Sequence, residues 1–194
     1  ACELIIVAAD PIRKRVDLAV DAVEILRRRG VHARLHVVGP ATRKAEASPA
    51  VRVLGRLRLE DAGDRARHVA ALRRSHLNVL PSVGEAFGIA PAEAAHLGIP
   101  SIVSDVGGLP FVVRDGETGT VLPVEAGPDA WADAVLAMIE APERYRAFSG
   151  SARRDAAARL TWDARAAALE RVLRRAAREH GAVPSASRRL RRSA

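Results

Sequence analysis

Cysteine is almost absent from this sequence of 194 residues. The single cysteine, Cys2, excludes an internal disulfide and any cluster of thiolate metal ligands. Since structural disulfides accumulate in oxidising compartments, we expect a reducing, cytoplasmic setting. The histidines show no metal-ligand spacing and no Ser/His/Asp arrangement, so we expect no metal site; they are His32, His36, His68, His76, His96 and His180.

Aromatic residues and long apolar runs are also scarce. Only 3% of the residues are aromatic, so base stacking has few side chains to use, and we expect no nucleic-acid partner. No apolar run approaches the roughly 20 residues that span a bilayer. The run Leu4–Ala9 lacks the length and the basic head of a signal peptide and favours a buried strand. Because the chain enters this strand almost at once and without a methionine, we expect it to be part of a longer protein.

Positive charge is in excess and unevenly placed. The formal net charge is +8, carried mainly by arginine. Residues 182–194 contain no acid and four arginines, Arg188, Arg189, Arg191 and Arg192. We expect this segment to be a basic, disordered tail and residues 1–181 to form one domain. The basic body could attract phosphate or an anionic membrane face in a peripheral contact, or it could simply keep the protein soluble.

Short apolar runs alternate with longer amphipathic ones along most of the chain. The short runs are rich in β-branched residues and predict strands at Leu4–Ala8, Ala33–Val38, Val51–Leu54, Leu77–Leu80 and Ser101–Val103. Helical spacing follows at Val16–Arg29, Arg67–Arg73 and Pro91–Leu97, with Gly30 and Gly98 placed as C-terminal glycines. This alternation predicts an α/β domain with a Rossmann-like, doubly wound parallel sheet.

The last third of the chain is predicted to be helical. Helix-like spacing covers Asp129–Ile139, Glu143–Arg159 and Thr161–His180, and we expect these C-terminal helices to end the sheet pattern. Thr161 is a good N-cap, with Asp163 in the first turn of the helix that follows.

The segment Leu77–Asp105 carries the most chemical information. A buried strand is followed by a glycine-containing loop and then by a helix with Pro91 in its first turn. Ligands of open α/β sheets bind at such strand-to-helix crossings. Gly84 and Gly88 let the backbone approach a ligand, since neither has a Cβ. We expect the free amides of Gly88, Ile89 and Ala90 to bind an anion, and a diphosphate is the ligand that fits best.

Two glutamates frame this loop and helix start. Glu85 lies in the loop, and Glu93 lies about one turn into the helix. Carboxylates accept paired hydrogen bonds from neighbouring hydroxyls, which suits a sugar on one side of the diphosphate and a ribose on the other. Acids near a helix start also serve simply as caps or as partners of the helix dipole. The residues alone leave both interpretations open.

The ordered series of residues here resembles a known donor-site signature. It comprises Pro81-Ser82, Glu85, Phe87-Gly88, Glu93-Ala94, Gly98 and Pro100, then Gly107-Gly108, Pro110, Val113, Asp115-Gly116, Thr118-Gly119 and Trp162. The series resembles retaining glycosyltransferases of the GT-B fold (glycosyltransferase family 4, or glycosyl transferases group 1). The resemblance covers nearly the whole chain as the C-terminal, donor-binding domain of such an enzyme.

The resemblance implies a role for each matching position. Glu85 would hold the donor sugar and Glu93 the ribose, while Lys14 would be aimed at the diphosphate. The amides of Phe87, Gly88, Ile89 and Ala90 would also hold the diphosphate, and Gly107 and Gly108 would line the sugar side. The loop Val53–Leu57, with Arg56 and Leu57, would lie against the base.

Two positions depart from the family pattern. Ala9 stands where an arginine directed at the phosphates is usual, and Phe111 stands where an acid is usual. Arg13 is a candidate replacement for that arginine in donor binding. Apart from that role, we expect Arg13 and Arg15 to be solvated neighbours of Lys14.

The implied function is sugar transfer from a nucleoside-diphosphate sugar to an acceptor, an EC 2.4 hexosyltransferase-type reaction. The resemblance implies no cofactor and no metal, and an N-terminal acceptor domain that this chain lacks. We therefore expect the isolated domain to be inactive or weakly active. A non-catalytic nucleotide-sugar-binding module and a GT-B sugar-nucleotide epimerase are the alternatives. The sugar, the base and the acceptor stay undecided.

Overall fold

The computed structural model describes residues 1–179 and contains a parallel sheet with helices on both faces. The sheet has six strands in the order β3-β2-β1-β4-β5-β6. The strands are β1 (Cys2–Val7), β2 (Ala33–Val38), β3 (Val51–Gly55), β4 (Leu77–Leu80), β5 (Ser101–Ser104) and β6 (Gly119–Leu122). Every neighbouring pair is parallel. The predicted Rossmann-like fold class is confirmed.

Eight helices connect and follow these strands within the described part of the chain. They are α1 (Val16–Arg28), α2 (Arg43–Ala47), α3 (Ala62–Arg74), α4 (Ile89–His96), α5 (Leu109–Val112), α6 (Pro128–Ile139), α7 (Pro142–Arg159) and α8 (Trp162–Glu179). The C-terminal helices α6, α7 and α8 were expected. The short helices α2 and α5 were not, because neither is long enough to show a helical period.

The core has a separate cluster on each face of the sheet. On one face, Leu26 of α1 and Trp131 of α6 pack in the main cluster. On the other face, Leu72 of α3 and Ala94 of α4 pack with Ile5. Every residue of β4 and β5 is buried, as expected for central strands covered on both sides.

Two expectations about the sheet were wrong. The predicted strands ended with Ser101–Val103, but β6 continues the sheet and pairs with β5. Its sequence, GTVL, begins with a glycine and a threonine that conceal the apolar run. The segment Val53–Leu57 was described as a loop, although the predicted strand Val51–Leu54 overlaps it; the structure places its first three residues in β3.

The predicted C-terminal glycines and the predicted Thr161 N-cap are confirmed, whereas α3 begins at Ala62, five residues before the predicted start at Arg67. Gly30 and Gly98 follow α1 and α4 with φ of 85° and 72°, a conformation that favours glycine. The Thr161 hydroxyl accepts a hydrogen bond from the Ala164 amide at 3.1 Å, as an N-cap does. His180 and the predicted tail, residues 182–194, lie outside the described residues. Within residues 1–179, no helix has both the length and the apolar character needed to cross a bilayer.

Candidate functional site

The strand order reverses between β1 and β4. From β1 the chain continues to β2 and β3 on one side, and it then returns to β4 on the other. The loops that leave the carboxyl ends of β1 and β4 therefore diverge, and such a divergence is where ligands of open α/β sheets bind. Residues 8–15 follow β1 and residues 81–88 follow β4, so this edge carries the predicted Lys14 and Glu85.

Lys14 and Glu85 meet across this edge. The Lys14 Nζ lies 2.7 Å from the Glu85 Oε2, and only 11% and 13% of the two side chains are exposed. The Arg13 guanidinium lies 3.5 Å from the same oxygen and donates a hydrogen bond to the Gly84 carbonyl. Four predicted site residues are thus brought together, and their contacts join the loop after β1 to the loop after β4.

The expectation that Arg13 and Arg15 are merely solvated was wrong. Arg13 is half-buried and donates a hydrogen bond to the Gly84 carbonyl. Arg15 donates a hydrogen bond to the Val124 carbonyl at 2.6 Å. Sequence reasoning missed both contacts because each partner is about 70 to 110 positions away.

A local turn places Lys14. The Asp10 carboxylate accepts hydrogen bonds from the amides of Ile12 and Arg13 at 3.1 and 3.0 Å. Arg15 then adopts a φ of 51°, a left-handed conformation that is rare for a residue with a Cβ. Helix α1 begins at the next residue. The turn and the left-handed residue together direct Lys14 to Glu85.

The start of α4 presents backbone amides without a side-chain cap. Gly88 is the N-cap with a φ of 99°, and no side chain of the described residues makes a cap hydrogen bond there. A Cβ at Gly88 would come within 2.7 Å of the Leu109 Cδ2, so both conformation and space favour glycine. The first amides of a helix have no partner within the helix, and they attract anions. Ile89 and Ala90 belong to this first turn, so the local geometry fits the predicted anion site.

Gly107 and Gly108 pack against the Glu85 loop. A Cβ at Gly107 would lie 1.7 Å from the Glu85 carbonyl oxygen, and one at Gly108 would lie 2.6 Å from that of Ala86. The Gly108 amide donates a hydrogen bond to the Glu85 carbonyl at 3.3 Å. These glycines therefore support the backbone of the Glu85 loop. Their implied place beside the sugar stays a prediction.

Glu93 has a partner that the sequence analysis did not find. Its Oε2 lies 3.2 Å from the Nε2 of His68, which comes from α3. The His68 side chain is 6% exposed, and that of Glu93 is 38% exposed. No signal in the sequence predicts this contact, because the two residues are 25 positions apart on different helices.

Phe87 and Phe111 form a patch with arginines of the C-terminal helices. The ring centroids are 6.2 Å apart. The Arg159 guanidinium lies 4.9 Å from the Phe111 ring, and Arg165 lies 4.9 Å from the Phe87 ring. Such cation–π contacts stabilise partly exposed rings. Phe111 thus stands in an aromatic and cationic environment at the position where the family pattern has an acid.

Arg56 and Leu57 are not brought to this group. They follow β3, which is separated from β4 by β2 and β1. Arg56 is exposed, and Leu57 packs beside the cluster that contains Ile5. Their implied contact with the base stays a prediction.

A cavity of about 500 Å³ lies away from this edge, beside α7 and the turn before β6. Arg114, Phe148 and Asp155 are among its lining residues. None of its lining residues belongs to the predicted site.

No metal cluster is present in the described part of the chain. Within residues 1–179, no three His, Cys, Asp or Glu side chains are grouped to hold an ion. Burial raises the pKa of the Cys2 thiol to about 11, so at neutral pH this thiol is protonated and is a poor metal ligand. The expectation that no metal or cofactor is needed stays a prediction.

The order of the parallel strands and the helices on both faces of the sheet define a Rossmann-like α/β domain. The chain belongs to the glycosyl transferases group 1 family, whose model matches residues 2–141. This membership confirms the resemblance that the glycine, proline and glutamate series indicated.

The chain is similar in sequence to named glycosyltransferases and similar in fold to solved structures. The chain is 41% identical over 108 residues to the D-inositol 3-phosphate glycosyltransferase of Mycobacterium avium, a match that covers 55% of this chain and 25% of the relative. The structure of Anabaena Alr3699/HepE in complex with UDP and glucose has a TM-score of 0.67 at 18% identity, over 81% of this chain and 44% of that one. Sucrose-phosphate synthase from Thermosynechococcus elongatus has a TM-score of 0.69 at 23% identity, over 91% and 46%.

The chain matches only part of each of these proteins. The match spans a quarter of the Mycobacterium relative and less than half of each solved chain. The structural likeness therefore concerns a fold that makes up less than half of each solved chain.

Proposed function

We propose that this chain is the donor-binding half of a retaining glycosyltransferase that uses a nucleoside-diphosphate sugar. The observation that carries the proposal is the uncapped start of α4 beside the Lys14–Glu85 pair, at the reversal of strand order. Amides and a cation beside a buried carboxylate suit a ligand that has a diphosphate next to a sugar. The solved relative that contains UDP and glucose supports the same ligand class.

Each residue has a definite task in this proposal. The amides of Phe87, Gly88, Ile89 and Ala90 hold the diphosphate, and Glu93 accepts hydrogen bonds from the ribose hydroxyls. Breaking the anomeric bond leaves an oxocarbenium-like sugar and a more negative diphosphate. Amides and the Lys14 ammonium stabilise the leaving charge, which is the main catalytic task. The Glu85 carboxylate lies beside the developing positive charge, and no metal is required.

The Lys14–Glu85 contact is compatible with both tasks. An ammonium group has three hydrogens, so Lys14 can donate to Glu85 and to a diphosphate oxygen at once. Arg13, 3.5 Å from the same carboxylate, is placed to help hold Glu85 while Lys14 serves the ligand. This arrangement gives Arg13 a use in a chain that has Ala9 where an arginine is usual.

A thermal-shift series against UDP, GDP and ADP tests the proposal. A ligand at about 100 times its Kd stabilises the folded state by about 2.7 kcal/mol, which raises the melting temperature by several degrees for a domain of this size. We expect one nucleotide to produce such a shift and Glu93→Ala to reduce it, since the ribose contacts are lost. Absence of any shift with all three nucleotides would refute the donor-site assignment.

Transfer itself needs the rest of the protein. With the N-terminal half restored and a labelled donor, we expect sugar to reach an acceptor with its anomeric configuration retained. Glu85→Ala should spare nucleotide affinity and reduce transfer, because this carboxylate faces the sugar. Binding without transfer would instead support the non-catalytic module, and a donor with an altered sugar would support the epimerase. The cytoplasmic setting and a peripheral membrane contact remain predictions from composition.

A further inference from the structure

His68 is a buried histidine whose only side-chain hydrogen bond within the described residues joins it to the proposed donor site. Its Nε2 lies 3.2 Å from the Glu93 Oε2. The residue is 5% exposed and stands on α3, whose own N-cap, Asp61, accepts a hydrogen bond from the Asp64 amide at 2.8 Å. Ala71 and Leu72 of the same helix are buried in the core. The imidazole is therefore carried by a firmly anchored helix.

We propose that His68 is a positioning residue that holds the Glu93 carboxylate in the orientation in which it binds ribose hydroxyls. This inference rests on the proposed function. A carboxylate only accepts hydrogen bonds, so the Nε2 of His68 must be the donor. The other ring nitrogen, Nδ1, is buried without a partner in residues 1–179.

The hydrogen bond to Glu93 orients the imidazole ring. Nε2 is the donor in the bond to the carboxylate, and Nδ1 has no partner in residues 1–179, so no other hydrogen bond of these residues competes for the ring. His68 thus acts on Glu93 as a hydrogen-bond donor with a fixed direction.

Fixing Glu93 in advance favours ligand binding. Its side chain is 38% exposed, and a free glutamate at such a position samples several rotamers. The His68 hydrogen bond selects among them before the ligand arrives, so less freedom is lost on binding. One carboxylate oxygen is occupied by the imidazole, and the other is left for the hydroxyls of a ribose.

Calorimetric titration with paired nucleotides tests this role. UDP, GDP or ADP, whichever binds the wild-type chain, is compared with its 2′,3′-dideoxy counterpart. We expect His68→Leu to weaken binding of the ribose nucleotide about fivefold, the ratio that one hydrogen bond is worth, and to leave the dideoxy nucleotide unchanged. His68→Gln should restore the ribose preference, since its amide nitrogen reaches as far as Nε2, whereas the shorter His68→Asn should not.

The possible outcomes distinguish failure of the proposed His68 role from failure of the proposed function. Equal weakening of both nucleotides by His68→Leu would show a merely structural histidine and overturn the inference, as would no effect on either. A wild-type chain that binds ribose and dideoxy nucleotides equally would overturn the inference and leave the diphosphate site standing. A chain that binds neither would overturn the proposed function as well. Where His68→Leu does not fold, the contrast between His68→Gln and His68→Asn decides.

Discussion

At the scale of single residues, the Lys14–Glu85 pair is the most informative contact. Both side chains are nearly buried, and the two charged atoms are 2.7 Å apart. A buried charge whose partner is removed is strongly destabilising, whereas removal of both charges costs much less. The pair should therefore behave as a unit in folding, in addition to its proposed part in catalysis.

A double-mutant cycle measures this coupling. We expect Lys14→Met to lower the free energy of unfolding by about 2 kcal/mol, less than for a fully isolated pair because Arg13 lies near Glu85. The double variant Lys14→Met/Glu85→Gln should be more stable than the sum of the single changes predicts, by about 1–3 kcal/mol. Urea denaturation of the four proteins gives the coupling energy, and strictly additive effects would contradict the pairing.

Gly107 offers a second test at the residue scale. Its φ is 55°, and an added Cβ would overlap the Glu85 carbonyl at 1.7 Å. We expect Gly107→Ala to destabilise the chain by about 1–3 kcal/mol and to weaken nucleotide binding, since the Glu85 loop must move. Gly84→Ala is the matched control, because its Cβ would meet nothing within 4 Å. Similar unfolding midpoints for the two variants in chemical denaturation would contradict the close packing seen here.

At the scale of elements, α7 is tied to the turn before β6 by one buried carboxylate. Asp155, with 4% of its side chain exposed, lies 2.8 Å from Arg114 and 2.5 Å from Arg159. The hydrogen bonds that Arg159 donates to Asp155 raise the pKa of the Arg159 guanidinium above its usual value, so this guanidinium stays charged at any ordinary pH. Arg159 in turn donates to the Phe111 carbonyl and links α7 to α5.

Removal of this carboxylate should loosen α7. We expect Asp155→Ala to lower the free energy of unfolding by about 2 kcal/mol, since hydrogen bonds to charged groups are lost while the freed arginines can reach water. Glu143→Ala is the control on the same helix, because Glu143 is exposed and lies 3.8 Å from Arg146; its effect should stay within about 0.5 kcal/mol. Equal effects of the two changes on guanidinium unfolding would argue against an anchoring role for Asp155.

At the scale of the whole molecule, charge and fold are separable. Four arginines of the +8 chain lie in residues 182–194, whereas every residue of the proposed site lies between positions 13 and 108. We expect deletion of residues 182–194 to leave the nucleotide-induced thermal shift unchanged. If the truncated chain melts at the normal temperature but shows no nucleotide-induced shift, part of the nucleotide site lies in residues 182–194. Binding of nucleic acid by the full chain that vanishes on truncation would instead assign that segment a separate role.

Much of the architecture was already predictable from the amino-acid pattern. The β2 and β4 bounds, the glycines after α1 and α4, the Thr161 cap and the Rossmann-like class all follow from local rules. The strand bounds, the glycines and the cap depend on neighbours within about one helical turn or one strand, which is the range over which propensity and capping act. The fold class follows from the alternation of such segments along the chain. Gly88 belongs to the same group, since a glycine that opens a helix after a buried strand is a local feature.

The tertiary structure alone decided which of these residues meet. Lys14 joins Glu85 because β1 and β4 are adjacent at the reversal of strand order, and His68 joins Glu93 because α3 and α4 share one face of the sheet. The contacts of Arg159 and Arg165 with Phe111 and Phe87 were hidden for the same reason. Sequence periodicity determines which face an element buries, but pairing between distant elements depends on how the whole sheet is ordered, and no local pattern encodes that order.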